Sequence, residues 1–97
     1  MPTYVLLLKY TQKGAESIKQ APARIDAARQ AAKAVGAEIK QVYLVMGRYD
    51  VVVISEGPDD ETAAKLALTT AMQGNVQTET LRAFSEAEFR RVVAALP

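Results

Sequence analysis

Cysteine, histidine and tryptophan are absent from the 97 residues. Without thiols or imidazoles the chain has no disulfide, no thiolate metal site, no Cys nucleophile, no Ser-His-Asp triad and no imidazole acid/base pair. Haem loses its usual protein ligand as well, so no cofactor and no metal is expected. Neither sign of charge is in excess: 12 Lys+Arg face 11 Asp+Glu, a formal net charge of +1. Arg90-Arg91 is the one adjacent basic pair, and acidic Glu86 and Glu88 stand beside it, so no footprint for nucleic acid is present. Long apolar runs are also missing. Val5 to Leu8, Val51 to Ile54 and Val92 to Leu96 fall far short of the roughly 18 residues that span a bilayer, and Lys9 stops the first run before it could act as a secretion signal. The expectation is a cytoplasmic protein with no membrane span.

What is present is a one-domain composition, 49% hydrophobic and 24% charged, over residues 1–97. A domain this small hides only about 60–68% of the surface its unfolded chain exposes, which makes a partner subunit useful. Thr3 to Thr11, rich in Val, Leu and Tyr, reads as a central strand before the breaker Gly14. Ile18, Ala21, Ile25, Ala28, Ala32 and Val35 recur at spacings of three and four, one face of a helix. Pro22 should kink or restart that helix, and Gly36 should cap it. Glu38 to Met46 alternates as a second strand, with Ile39, Gln41, Tyr43 and Val45 on one face. Gly47-Arg48 then suggests a hairpin into Tyr49 to Ile54. Asp59, Asp60 and Glu61 place negative charge at the start of a helix that runs to about Gln73. They read as a helix start and not as a metal site. Val76 to Phe84 forms a fourth strand. Ser85 and Glu88 make a capping box for a last helix, with Phe84 against Phe89 as a staple.

The order βαββαβ(α) is that of an α+β, ferredoxin-like domain whose four-stranded antiparallel sheet runs 4-1-3-2. Tyr10, Thr11, Tyr49, Asp50, Asn75 and Thr78 should then gather at one edge, with Tyr4, Glu56 and Arg82 at the other. Asp50 and Glu56 lie about 20 Å apart at roughly 3.3 Å per residue, too far for a paired-carboxylate site. Strands one and three are apolar at both parities, so the face left bare by the two helices must be covered. The C-terminal helix could shield an edge or part of it, and a second copy packed sheet to sheet is the economical alternative.

The chain resembles the GYD family, named for a Gly-x-Tyr-Asp element, here Gly47-Arg48-Tyr49-Asp50. The likeness extends to Tyr4-Val5, Thr11 to Gly14, Arg24, Glu56-Gly57-Pro58-Asp59, and the run from Gly74-Asn75-Val76 to Phe84. It implies a dimeric α+β barrel and no established activity, metal ligand or nucleophile.

Two readings stand for each motif. Gly47 to Asp50 is turn chemistry, or Tyr49 and Asp50 line a pocket mouth as orienting group and proton acceptor. Thr78 and Thr80 are β-branched strand residues, or they point into the barrel towards a ligand. Tyr10 is a core or interface aromatic, or part of the same site. Arg24 and Arg82 make structural or intersubunit ion pairs, or clamp a carboxylate. The expected site is therefore Tyr10, Tyr49, Asp50, Thr78 and Thr80, and the expected function is a homo-oligomeric module that binds or senses a small polar or aromatic ligand. The alternatives are a cofactor-independent barrel enzyme with Asp50 as base, of isomerase or monooxygenase type, and a structural oligomer subunit.

Overall fold

Antiparallel pairing joins Thr3–Tyr10 (β1) to Val51–Glu56 (β3) on one side and Val76–Ala83 (β4) on the other. Glu38–Leu44 (β2) completes the sheet beyond β3, giving β2-β3-β1-β4, which is 4-1-3-2 read from the far edge. The computed structural model describes residues 1–97. Ala21–Ala34 (α2) and Asp60–Met72 (α3) are the two crossovers, and Glu86–Ala94 (α4) follows the last strand. The short Gln12–Glu16 (α1) and a 3-10 turn at Ile18–Gln20 precede α2. No helix is long and apolar enough to cross a membrane.

Pro22 starts a new helix and does not bend an old one. It sits in the first turn of α2, where a missing N–H costs nothing because that position has no intrahelical acceptor. Gly14, expected as a breaker, lies inside α1 and is buried. The reason is space: a Cβ there would stand 2.0 Å from the carbonyl oxygen of Asn75.

Cross-strand partners share a face, so the register sorts the side chains. Leu6, Leu8 and Tyr10 stand with Val53, Val51 and Val76 beneath α2 and α3. Val5, Leu7, Val52 and Ile54 point the other way. In β2 a register shift between Ile39 and Gln41 breaks the expected alternation. Ile39 and Val42 therefore both reach the helix side, while Gln41 and Tyr43 join the outer face opposite Ile54 and Val52. β2 also ends at Leu44, two residues before Met46. The link to β3 is a loop from Val45 to Asp50, closed by a Val45 N–H to Asp50 carbonyl bond of 2.9 Å.

Both later helices start as their sequences dictate. Asp59 caps α3 by accepting from the Thr62 amide at 2.8 Å, and that bond lowers its pKa. Ser85 and Glu88 form the full capping box of α4. The α4 helix nevertheless makes only marginal contact with any other element. Phe84 and Phe89, expected to staple its start, are 59% and 62% exposed.

Tyr4 anchors the opposite end of the sheet. Its hydroxyl donates to Asp60 Oδ1 at 2.6 Å, and burial first, then this bond, push the phenol from 10.0 up to about 12. The folded chain thus keeps a proton that the unfolded chain releases, so this stabilisation is complete below pH 10 and disappears as pH rises to about 12. Urea midpoints should fall across that window in the wild type and fall less in Tyr4→Phe. Equal slopes for the two chains would contradict the assignment.

Candidate functional site

The end of the sheet where β1 finishes and β4 begins is tied together by a small set of polar groups. Thr11 Oγ1 donates to the Gly74 carbonyl at 2.6 Å and accepts from the Gly14 amide at 3.2 Å, while the Thr11 amide donates to the Asn75 carbonyl at 3.0 Å. Lys13 Nζ donates to the Gln73 carbonyl at 2.9 Å, placing a cation at the negative end of α3. Gly74 takes φ 78°, which suits glycine because no Cβ clashes there. These bonds fix the ends of β1, α3 and β4 relative to one another.

Asp50 completes the β1–β3 ladder. Pairing stops at Leu8↔Val51, yet the Asp50 amide still donates to the Leu8 carbonyl at 2.9 Å, and its carboxylate Oδ2 accepts from the Tyr10 amide at 2.8 Å. The side chain replaces the strand carbonyl that the Val45 to Asp50 loop takes away. Asp50→Ala should cost about 1–3 kcal/mol by leaving the Tyr10 N–H without an acceptor. Asp50→Asn, which keeps an oxygen in place, should recover most of it in urea unfolding. If the two variants are equally destabilised, the carboxylate is not the ladder's acceptor.

The five residues expected to form one site are divided among three places. Tyr10 lines a cleft beneath α2 and α3. Tyr49 lies over the outer face, where its hydroxyl donates to Glu79 and raises its own pKa through that bond. Asp50 lines neither recess and is engaged with the backbone. Thr78 and Thr80 pair with Leu8 and Leu6, a register that belongs to the helix side, yet Thr78 also borders the outer recess and so shares it with Tyr49. Thr80 stands by register with Leu6 on the helix side; both parities of β1 are apolar, so only the pairing tells which one the helices cover.

Two recesses concern these residues. The outer one, about 540 Å³ and shallow, is bordered by Leu7, Lys9, Arg48, Tyr49, Gln77, Thr78 and Glu79, so two of the five expected residues, Tyr49 and Thr78, meet there. The inner one, about 190 Å³, lies between the two crossover helices and the sheet, and apolar side chains dominate its wall. No group of three or more Asp or Glu residues is arranged to hold a metal ion.

Arg24 and Arg82 make no salt bridge with any acidic residue. Arg82 lies over the rings of Phe84 and Tyr4, at 4.6 and 5.8 Å from their centroids. Arg24 Nη1 donates to the Ser17 carbonyl and hydroxyl, both at 3.2 Å, and Nη2 is buried with no hydrogen-bond partner. The sequence contains both arginines; only the fold separates their surroundings.

Beyond β4, α4 presents Phe89, Val92, Val93 and, just past its end, Leu96 at i, i+3, i+4 and i+7. All four are at least half exposed. Glu86 and Arg90 pair at 2.8 Å elsewhere on the helix. This is an amphipathic helix whose apolar ridge faces solvent.

The model of the GYD domain matches residues 4–93. A Thermus thermophilus protein described as a glutamine synthetase and cystathionine beta-lyase binding protein is 36% identical over 89 residues, covering 91% of this chain and 94% of its own length. The crystal structure of TTHA0845 from Thermus thermophilus is similar with a TM-score of 0.55 and 25% identity, over 88% of this chain and 95% of that one.

Proposed function

We propose that this chain, which belongs to the GYD domain family, is a protein-association module: a homo-oligomer joined across its open sheet face that presents α4 to other proteins. The observation that carries the reading is the α4 ridge, amphipathic, well capped and left outside the protomer. An isolated helix this short is marginal in water, and four exposed apolar side chains on one face favour insertion into a groove of another protein. The Thermus relative is described as binding two metabolic enzymes, which supports partners of the same kind here. The sheet face adds Val5, Leu7, Val52 and Ile54, with Tyr43 and Leu81 at its sides, to which no helix of the protomer turns. Catalysis is the weaker reading because Asp50, the base it needs, already accepts the Tyr10 amide.

The test is binding of purified glutamine synthetase and cystathionine beta-lyase to the immobilised chain. Saturable binding at a Kd on the order of 1 μM to either enzyme is expected, with at least tenfold loss in the double variant Phe89→Glu, Val93→Glu. Both positions are exposed, so folding and self-association should be retained. No binding to either enzyme at tens of Kd, or undiminished binding by the double variant, would contradict the proposal. So would its conversion to a monomer, which would assign the ridge to self-association.

A further inference from the structure

The inner cleft has features that protein association does not use. Much of its helical wall is small side chains, Ala27, Ala28, Ala31 and Ala32 of α2 and Ala63 of α3; with Ile25 and Leu66 beside them they leave a gap above Leu6, Leu8 and Val53. The gap of about 190 Å³ is comparable to the roughly 150 Å³ of an apolar cavity that accepts benzene.

One end of the cleft is polar. Tyr10 ends β1, its register partner Val76 begins β4, and Asn75 and Gln73 lie in the turn just before it. Arg24 reaches the same end from the first turns of α2, held by Ser17 through Nη1. Its Nη2 is the buried side-chain donor without a partner. A buried charged donor left unpaired is costly, and an acceptor supplied from outside would remove that cost. Arg24 is also the only charged residue on the cleft wall.

We infer that this cleft binds a small apolar carboxylate, with the apolar body against the alanine wall and Leu6, Leu8 and Val53, and the carboxylate on Arg24. A single guanidinium with one arm already engaged suits a monoanion better than a phosphate dianion. The absence of any Asp or Glu from the wall adds a second selection: an α-amino acid would bring an ammonium group with no carboxylate to meet it, and would lose affinity through desolvation. The site accordingly takes an arylacetate or branched short-chain acid and rejects the amino acid of the same side chain. The inference does not depend on the association reading, because the cleft lies on the helix side and the proposed oligomer contact on the other.

The probe is sodium phenylacetate, titrated calorimetrically into the full chain at neutral pH, beside phenylacetamide and phenylalanine. Phenylacetate should bind saturably with a Kd on the order of 0.1–1 mM, a range set by its few heavy atoms, and the amide and the amino acid at least tenfold more weakly. Arg24→Met should reduce phenylacetate to the level of phenylacetamide while leaving the amide unchanged, a split that a purely structural arginine would not produce. Ala28→Leu should fill the cleft, hold or raise the melting temperature, and abolish binding of both. Three results would each overturn the assignment: no saturation by phenylacetate up to about 10 mM, phenylalanine binding as tightly as phenylacetate, or a folded Ala28→Leu chain that still binds.

Discussion

Val52→Glu is expected to convert the protein into a single 10.5 kDa protomer that remains folded. Val52 occupies the middle of the outer sheet face, with Leu7 and Tyr43 as its cross-strand partners. In a lone protomer a glutamate there can keep its carboxylate in water, so strand pairing survives. Packed against a second sheet it must be desolvated, which costs several kcal/mol per charge, and a two-fold contact meets the substitution twice. Even about 3 kcal/mol in total weakens association roughly a hundredfold. The same charge at exposed Ala64 of α3 should leave the mass unchanged. Light scattering after gel filtration reads both outcomes, and a Val52→Glu chain that keeps the wild-type mass would remove the sheet face from the proposed contact.

Gly14→Ala is expected to be the most destabilising single-methyl change in the chain. The added Cβ would lie 2.0 Å from the Asn75 carbonyl oxygen and 2.9 Å from its carbon. Both are backbone atoms, held by the Thr11 amide at 3.0 Å and by the adjacent Thr11–Gly74 bond. No rotamer can move aside, so α1 must withdraw and loosen the bonds that join the ends of β1 and β4. Overpacking of this kind reaches about 3 kcal/mol, which in a domain of this size lowers the melting temperature by roughly 12–24 °C. The comparison is made at equal protomer concentration, since self-association raises the apparent melting temperature. A variant melting within about 2 °C of the wild type would mean that the α1 to Asn75 approach is not as tight as described.

How legible these features were depends on the range of the interaction behind each. The Ser85–Glu88 capping box is complete within four residues, and the chain order of strands and helices restricts the sheet to few topologies. Both could be read directly. The bulge in β2 was visible only as a spacing of three between Ile39 and Val42, which strict alternation does not allow. The sides chosen for Thr78 and Thr80 depended on which parity of β1 the helices cover, and Val5 to Leu8 is apolar at both. Gly14 has only the local signature of a breaker, because a close approach by Asn75, far along the chain, leaves no local mark. Asp50 continues a strand through its side chain, because its Oδ2 accepts the Tyr10 amide, a partner forty residues away that the local sequence does not show. The unpaired Nη2 of Arg24 follows from what surrounds it after folding, and the one sequence trace of the cleft is the alanine-rich composition of α2.

The whole account rests on apolar surface that a single protomer leaves open: the outer sheet face and the ridge of α4. Sedimentation velocity of the wild-type chain between about 1 and 100 μM tests this most directly, because a Kd near 1 μM corresponds to a substantial contact. The predicted result is a species of at least twice 10.5 kDa that prevails at the upper concentrations. A single 10.5 kDa boundary across the range would contradict it.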